Sequence, residues 1–176
     1  MEIAGLDLPE IQPGSVWLVG AGPGDPGLIT LHGAHGLAHA DAVVYDALVD
    51  KRILELANRE AELIFAGKRG GRPSADQEDI SNQLVGLARA GRRVLRLKGG
   101  DPCIFGRGGE EALALAKAGI PFRMVPGITA GIGGLAYAGI PATHRDTNAA
   151  ITFITGATTG GQVPSTLDWV ALAKGS

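Results

Sequence analysis

The stretch 96–111, Arg-Leu-Lys-Gly-Gly-Asp-Pro-Cys-Ile-Phe-Gly-Arg-Gly-Gly-Glu-Glu, concentrates the residue types that hold small molecules, with five glycines around an Asp-Pro pair at the end of an apolar run. Glycines let backbone approach a ligand and offer free N–H groups, and a carboxylate such as Asp101 accepts hydrogen bonds from a ribose or an amino group. No packing argument demands so many glycines, so the stretch reads as a ligand loop. A second loop, 20–27, follows the apolar run 16–19, and Asp46 closes the next run about 20 residues on, as in a dinucleotide fingerprint. Asp25, however, stands where the third glycine belongs, and its carboxylate would face a pyrophosphate; with Pro26 it fits a helix N-cap followed by a first-turn proline.

Other reactive side chains carry less. Cys103 is the single cysteine, which excludes an intrachain disulfide and a cysteine-based zinc site, points to a reducing cytoplasm and reads as a packing residue. His32, His35 and His39 have helical ligand spacing but no acidic or cysteine companion, so they read as a polar helix face and no metal is expected. Nine of the 16 Lys and Arg fall between Lys68 and Arg107, against four acids there, which suits an anionic small molecule.

The elements that position these loops alternate. Apolar runs at 16–19, 42–45, 62–65, 93–97 and 122–125 read as buried strands. Between them lie helical patterns at 27–39, 51–58, from Ser74 to Gly91 with capping-box spacing to Gln77, and 110–117 with Gly119 just beyond; a short helix at 131–137 follows. Continuous apolar strands separated by helices imply an open, mainly parallel α/β sheet covered on both faces, with ligands at the carboxyl ends of the strands. The loops 20–27, 46–50, 66–73 and 98–109 all lie there. Residues 1–14 read as an N-terminal extension, 15–142 as the α/β domain and 143–149 as a linker. A strand at 150–155 and a helix from Asp168 make 150–176 the beginning of a second α/β domain.

At 176 residues, 45% hydrophobic and 19% charged, with a formal net charge of −2, the chain is expected to be soluble, without a nucleic-acid or membrane footprint. The first 15 residues show no basic end followed by an apolar run, so no signal peptide is read there.

Taken together, 19–25, 44–46, 66–69, 96–111, 125–130 and 137–145 resemble, in order and spacing, the tetrapyrrole methylase family in its uroporphyrinogen-III C-methyltransferase branch. The resemblance implies S-adenosyl-L-methionine as methyl donor and S-adenosyl-L-homocysteine as product. It implies methylation of uroporphyrinogen III at two ring carbons to give precorrin-2, in a homodimer of two-domain subunits. Carried over by motif, the donor contacts fall on Pro23, Gly99, Gly100, Asp101, Ile104, Thr129 and Ala130, the proton acceptor on Asp46 and the proton donor on Lys68. Lys68, Arg69, Arg72, Arg107 and Arg145 are candidates to grip substrate carboxylates. The run 129–135 resembles cobalamin-pathway members more than sirohaem enzymes. Two departures stand out. Ala157 follows Thr155-Gly156 where the family has His, and the family continues through a Tyr-Met-Gly segment that this sequence does not contain. The alternative is a shortened chain serving only as a ligand-binding or dimerisation module.

Overall fold

A computed structural model describes residues 6–67, 77–148, 150–155 and 167–174. Contacts divide the chain into two units, Met1–Thr129 and Ala130–Ser176.

The first unit is built on five parallel strands, β1 (Val16–Gly20), β2 (Ala42–Tyr45), β3 (Glu62–Phe65), β4 (Val94–Lys98) and β5 (Phe122–Val125), in the order β3-β2-β4-β1-β5. All five residues of β1 and of β4 are buried, as strands with neighbours on both sides and layers on both faces must be. Side-chain alternation splits the core in two. Trp17, Val19, Val43, Leu95 and Leu97 face helix α1 (Leu31–His39), through Leu37, and Ile53 of a 3₁₀ turn. Val16, Leu18, Val44 and Val94 face helices α2 (Gln77–Arg89) and α3 (Gly108–Lys117), through Ile80, Leu84 and Leu115. Each fully buried leucine here contributes roughly 1.5–3 kcal/mol relative to an exposed one. Ile11, upstream of β1, is 2% exposed and joins the first cluster.

Chain order and strand order together locate the crevice. From β1 the chain steps outward through β2 to β3, returns to insert β4 between β2 and β1, and then crosses to β5 at the opposite edge. The connections leaving β1 and β4 therefore run to opposite sides, and their carboxyl ends form the topological switch point where ligands bind in open α/β sheets.

Three helical expectations change. In place of one helix over 27–39, a 3₁₀ turn at Pro26–Leu28 is followed by two extended residues and then α1. Two caps enforce this: Asp25 Oδ1 accepts from the Gly27 N–H at 2.8 Å, and Thr30 Oγ1 accepts from the Gly33 N–H at 3.1 Å. The helical pattern at 51–58 is a 3₁₀ helix at Lys51–Leu56, started by Asp50, whose carboxylate also pairs with Arg52. α3 begins at Gly108 rather than Glu110, after Arg107 in a left-handed conformation. Gly91 and Gly119 have φ of +78° and +70° and follow α2 and α3 as expected. Ser74, the expected cap of α2, lies outside the described residues.

In the second unit, α4 (Ala130–Tyr137) and α5 (Trp169–Lys174) are helical, the latter with the Asp168 carboxylate accepting from the Ala171 N–H at 2.9 Å. The strand expected at 150–155 is not formed. A strand is defined by its ladder, and among the described residues none pairs with this segment.

Candidate active site at the carboxyl edge of the sheet

The loops that leave β1, β4 and β5 meet backbone to backbone. Gly22 and Gly100 exchange both hydrogen bonds of an antiparallel bridge, at 3.1 and 2.7 Å. A Cβ on Gly20 would lie 2.5 Å from the Gly100 carbonyl oxygen and 2.6 Å from Gly127 Cα, so only glycines allow this junction. Asp101 fastens it: Oδ1 accepts from the Cys103 N–H at 2.7 Å, closing its own turn, and Oδ2 accepts from the Gly127 N–H at 3.0 Å.

This overturns the expectation that the glycines of 96–111 exceed what packing requires. Gly100 serves the junction, and Gly99 lies against Leu48, where a Cβ would sit 2.7 Å from that side chain's own Cβ. Gly106 and Gly108 press on the carbonyls of Asp101 and Pro102. Among the five, Gly109 has open space around it. Nor are the amides of Gly22, Gly99, Gly100, Gly108 and Gly127 free donors, since each is spent inside the chain.

Beneath the loops lies a charged cluster. Arg96 and Lys98, two residues apart on β4, point to the same face as Val94 and reach Glu111 in the first turn of α3; all three side chains are at most 4% exposed. Glu111 Oε1 accepts from Arg96 Nε and from Lys98 Nζ, both at 3.1 Å. The Arg96 guanidinium continues to the main chain, donating through Nη1 to the carbonyls of Val44 (3.3 Å) and Leu97 (3.2 Å). Its Nη2 donates to Asp46 Oδ2 at 3.2 Å. The other Asp46 oxygen faces the Gly99 N–H at 3.4 Å. Asp46, one residue past β2, keeps 25% of its side chain exposed and is the solvent-facing end of the cluster. Burial, reinforced by the neighbouring Arg96 charge, pushes the Lys98 ammonium below the ordinary lysine range, and Glu111 opposes the shift.

Among the described cations of the basic segment, several already have partners within the chain. Arg96 and Lys98 are buried and neutralised, Arg92 and Arg93 pair with Glu62 and Asp41, and Arg107 pairs with Glu110 at 2.6 Å. The balance of the segment was visible only as a count; among its described cations, Arg92 and Arg93 take sequence-distant partners, Glu62 and Asp41, whereas Arg107 takes a local one, Glu110. Lys68, Arg69 and Arg72 lie outside the described residues, and Arg145 is exposed. Burial and Asp101 raise the Cys103 thiol, so it is no ready nucleophile. His39 and His35 are linked through Nδ1 and a carbonyl at 2.8 Å, a helix-surface contact.

Of the residues singled out for a site, Pro23, Gly99, Gly100, Asp101 and Asp46 gather on neighbouring loops, and Ile104, 37% exposed, lies further along the loop from β4. Thr129 is half-buried after β5; Ala130 is exposed and opens α4 in the second unit. Sequence reasoning missed Arg96, Lys98 and Glu111 as a cluster. The signal was there: two cations with period 2 in an otherwise apolar buried strand need a buried anion, and Glu111 stands four residues before the core residue Leu115 on one helix face. A groove of about 870 Å³ between α2 and α3 contains none of these residues apart from the Arg107–Glu110 pair at its rim.

An open parallel sheet with its glycine loops and a carboxylate at the switch point defines an α/β ligand-binding class. The chain belongs to the family of tetrapyrrole (corrin/porphyrin) methylases, whose model matches residues 15–175. It is 65% identical over 169 residues to a uroporphyrinogen-III C-methyltransferase of a Sinorhizobium species, covering 96% of this chain and 60% of that one. It is 56% identical to a siroheme synthase of Photorhabdus laumondii, covering 97% and 36%. Among solved structures, the uroporphyrin-III C-methyltransferase of Thermus thermophilus complexed with S-adenosylhomocysteine superposes with a TM-score of 0.70 at 43% identity, covering 85% of this chain and 59% of that one. The chain thus spans 60% or less of the length of these relatives.

Proposed function

We propose that this chain carries the first domain of an S-adenosyl-L-methionine-dependent uroporphyrinogen-III C-methyltransferase, acting as a cytoplasmic homodimer in cobalamin or sirohaem biosynthesis. The observation that carries the reading is the juxtaposition, at the switch point, of the interlocked glycine loops with the Asp46 carboxylate. The donor fits the residues present: Ile104 and Phe105 offer exposed apolar surface on an otherwise tied-down loop, and Asp101 keeps lone pairs beyond the two amides it already accepts from. Pro23, Gly99, Gly100, Asp101, Ile104, Thr129 and Ala130 would hold it, with S-adenosyl-L-homocysteine as product. Bound there, it supplies a methyl group already activated by its sulfonium.

The chain's task is then alignment, exclusion of water and management of charge and protons. Methylation of a pyrrole carbon leaves a cationic ring that must lose a proton. Asp46, oriented by Arg96 and by the Gly99 amide, stabilises that cation and takes the proton; where Lys68 protonates the macrocycle as its double bonds rearrange, a second proton leaves, so that each methyl gained releases one proton net.

The test is Asp46→Asn in the full-length polypeptide, assayed anaerobically with uroporphyrinogen III and labelled donor. Turnover is expected to fall on the order of 10²–10⁴-fold, with donor affinity and unfolding midpoint little changed. Near-normal turnover would sink the assignment. Loss confined to donor affinity would make Asp46 a ligand contact, and loss confined to stability a turn residue.

A further inference from the structure

We propose that Glu111 is a positioning residue for methyl transfer, acting through Arg96 to set the orientation of the Asp46 carboxylate. The inference rests on the catalytic reading of Asp46 and extends it one layer inward.

Glu111 is fully buried, and its Oε1 takes the Nε edge of the guanidinium that offers Nη2 to Asp46. A guanidinium is planar and rigid, so fixing one edge fixes the direction of the other. The two main-chain carbonyls on Nη1 complete the constraint, leaving Arg96 one way to lie. Lys98, bound to the same Glu111 oxygen, stops the carboxylate from turning wholly toward Arg96. Two buried cations and two carboxylates make the cluster neutral, and its single outlet to solvent is Asp46. Burying three charges beneath a site is costly to the fold. Orientation of the exposed carboxylate is what the arrangement provides in return.

The test is a double-mutant cycle in the full-length polypeptide with Glu111→Gln, Asp46→Asn and both together. Glu111→Gln keeps the shape and loses the charge. It is expected to lower kcat on the order of 10–100-fold, the scale of a misaligned reacting group, with the affinity for S-adenosylhomocysteine by calorimetry unchanged within about threefold. In the Asp46→Asn background the same change should cost kcat less than about threefold, while lowering the unfolding midpoint equally in both backgrounds. Penalties that multiply would overturn the proposal and leave Glu111 a structural residue. Normal turnover of Asp46→Asn alone would instead overturn the catalytic reading on which it stands. If Glu111→Gln does not fold, Arg96→Lys replaces it in the cycle, since an ammonium keeps the charge but cannot span both carboxylates, and the same two outcomes decide.

Discussion

The two faces of the sheet solve the same packing problem differently. Under α1 the buried side chains are apolar from one end of the strands to the other: Trp17 and Val19, Val43, Leu95 and Leu97. Under α2 and α3 the pattern starts alike, with Val16, Leu18, Val44 and Val94, and then gives way at the carboxyl end to Arg96, Lys98 and Glu111. On β4 the change occurs within one strand: its odd positions stay leucine while its even positions turn from valine to arginine and lysine. Apolar burial is non-directional and tolerant, whereas buried charge is costly unless paired, and it fixes directions. One face therefore holds the domain together, and the other gives up part of that stability beside the candidate site.

The largest effect that would sharpen this contrast is expected from Glu111→Ala, which leaves two buried cations sharing a single partly exposed carboxylate. Urea unfolding should show a loss of about 3–5 kcal/mol. On the apolar face Leu37→Ala should cost about 2–5 kcal/mol, with donor affinity unaffected, since it leaves a cavity and no unpaired charge. The contrast breaks if Arg96→Met, Lys98→Met and Glu111→Leu combined unfold more easily than the parent. Replacing the whole cluster is expected to be neutral or stabilising by about 1–4 kcal/mol while turnover is lost. A smaller effect comes from pH. The folded state disfavours the Lys98 ammonium, so the unfolded chain binds the proton more tightly. Stability should accordingly rise with pH from the lowered folded value of Lys98 up to the ordinary lysine range, and be unaffected by this group below that window. Lys98→Met should flatten the rise in denaturant titrations across that range. Asp25→Ala, which touches no member of that cluster through its cap bond, should cost only about 0.5–2 kcal/mol, the loss of one cap.

Much of the first unit was legible because β1 and β2 are continuous apolar runs, the pattern parallel burial requires, and β3, β4 and β5 are apolar apart from one or two charged positions each. Asp25 was legible as a cap because capping is local chemistry. The 3₁₀ turns at Pro26–Leu28 and Lys51–Leu56 were not, since their apolar spacing also suits an α-helix and the decision lies with caps such as Thr30. Asp46 was placed correctly at a strand end. Its partner was hidden, because Arg96 counted as one more cation in a basic segment and Glu111 as one more acid at a helix start. Both acquire their meaning only when β4 is inserted beside β2, a long-range event that local spacing does not encode. Lys68 lies outside the described residues.

The junction of Gly20, Gly100 and Gly127 bears on motion. Three loops that share hydrogen bonds and touch through bare backbone cannot open one at a time. In amide hydrogen exchange, the N–H groups of Ala21, Gly22, Gly100 and Gly127 should therefore be released together, as one cooperative unit with the strands that carry them. Any adjustment of this domain to an incoming ligand falls to segments outside the knot, such as the exposed Leu48 and Phe105, whose side chains can swing while the floor beneath them stays still.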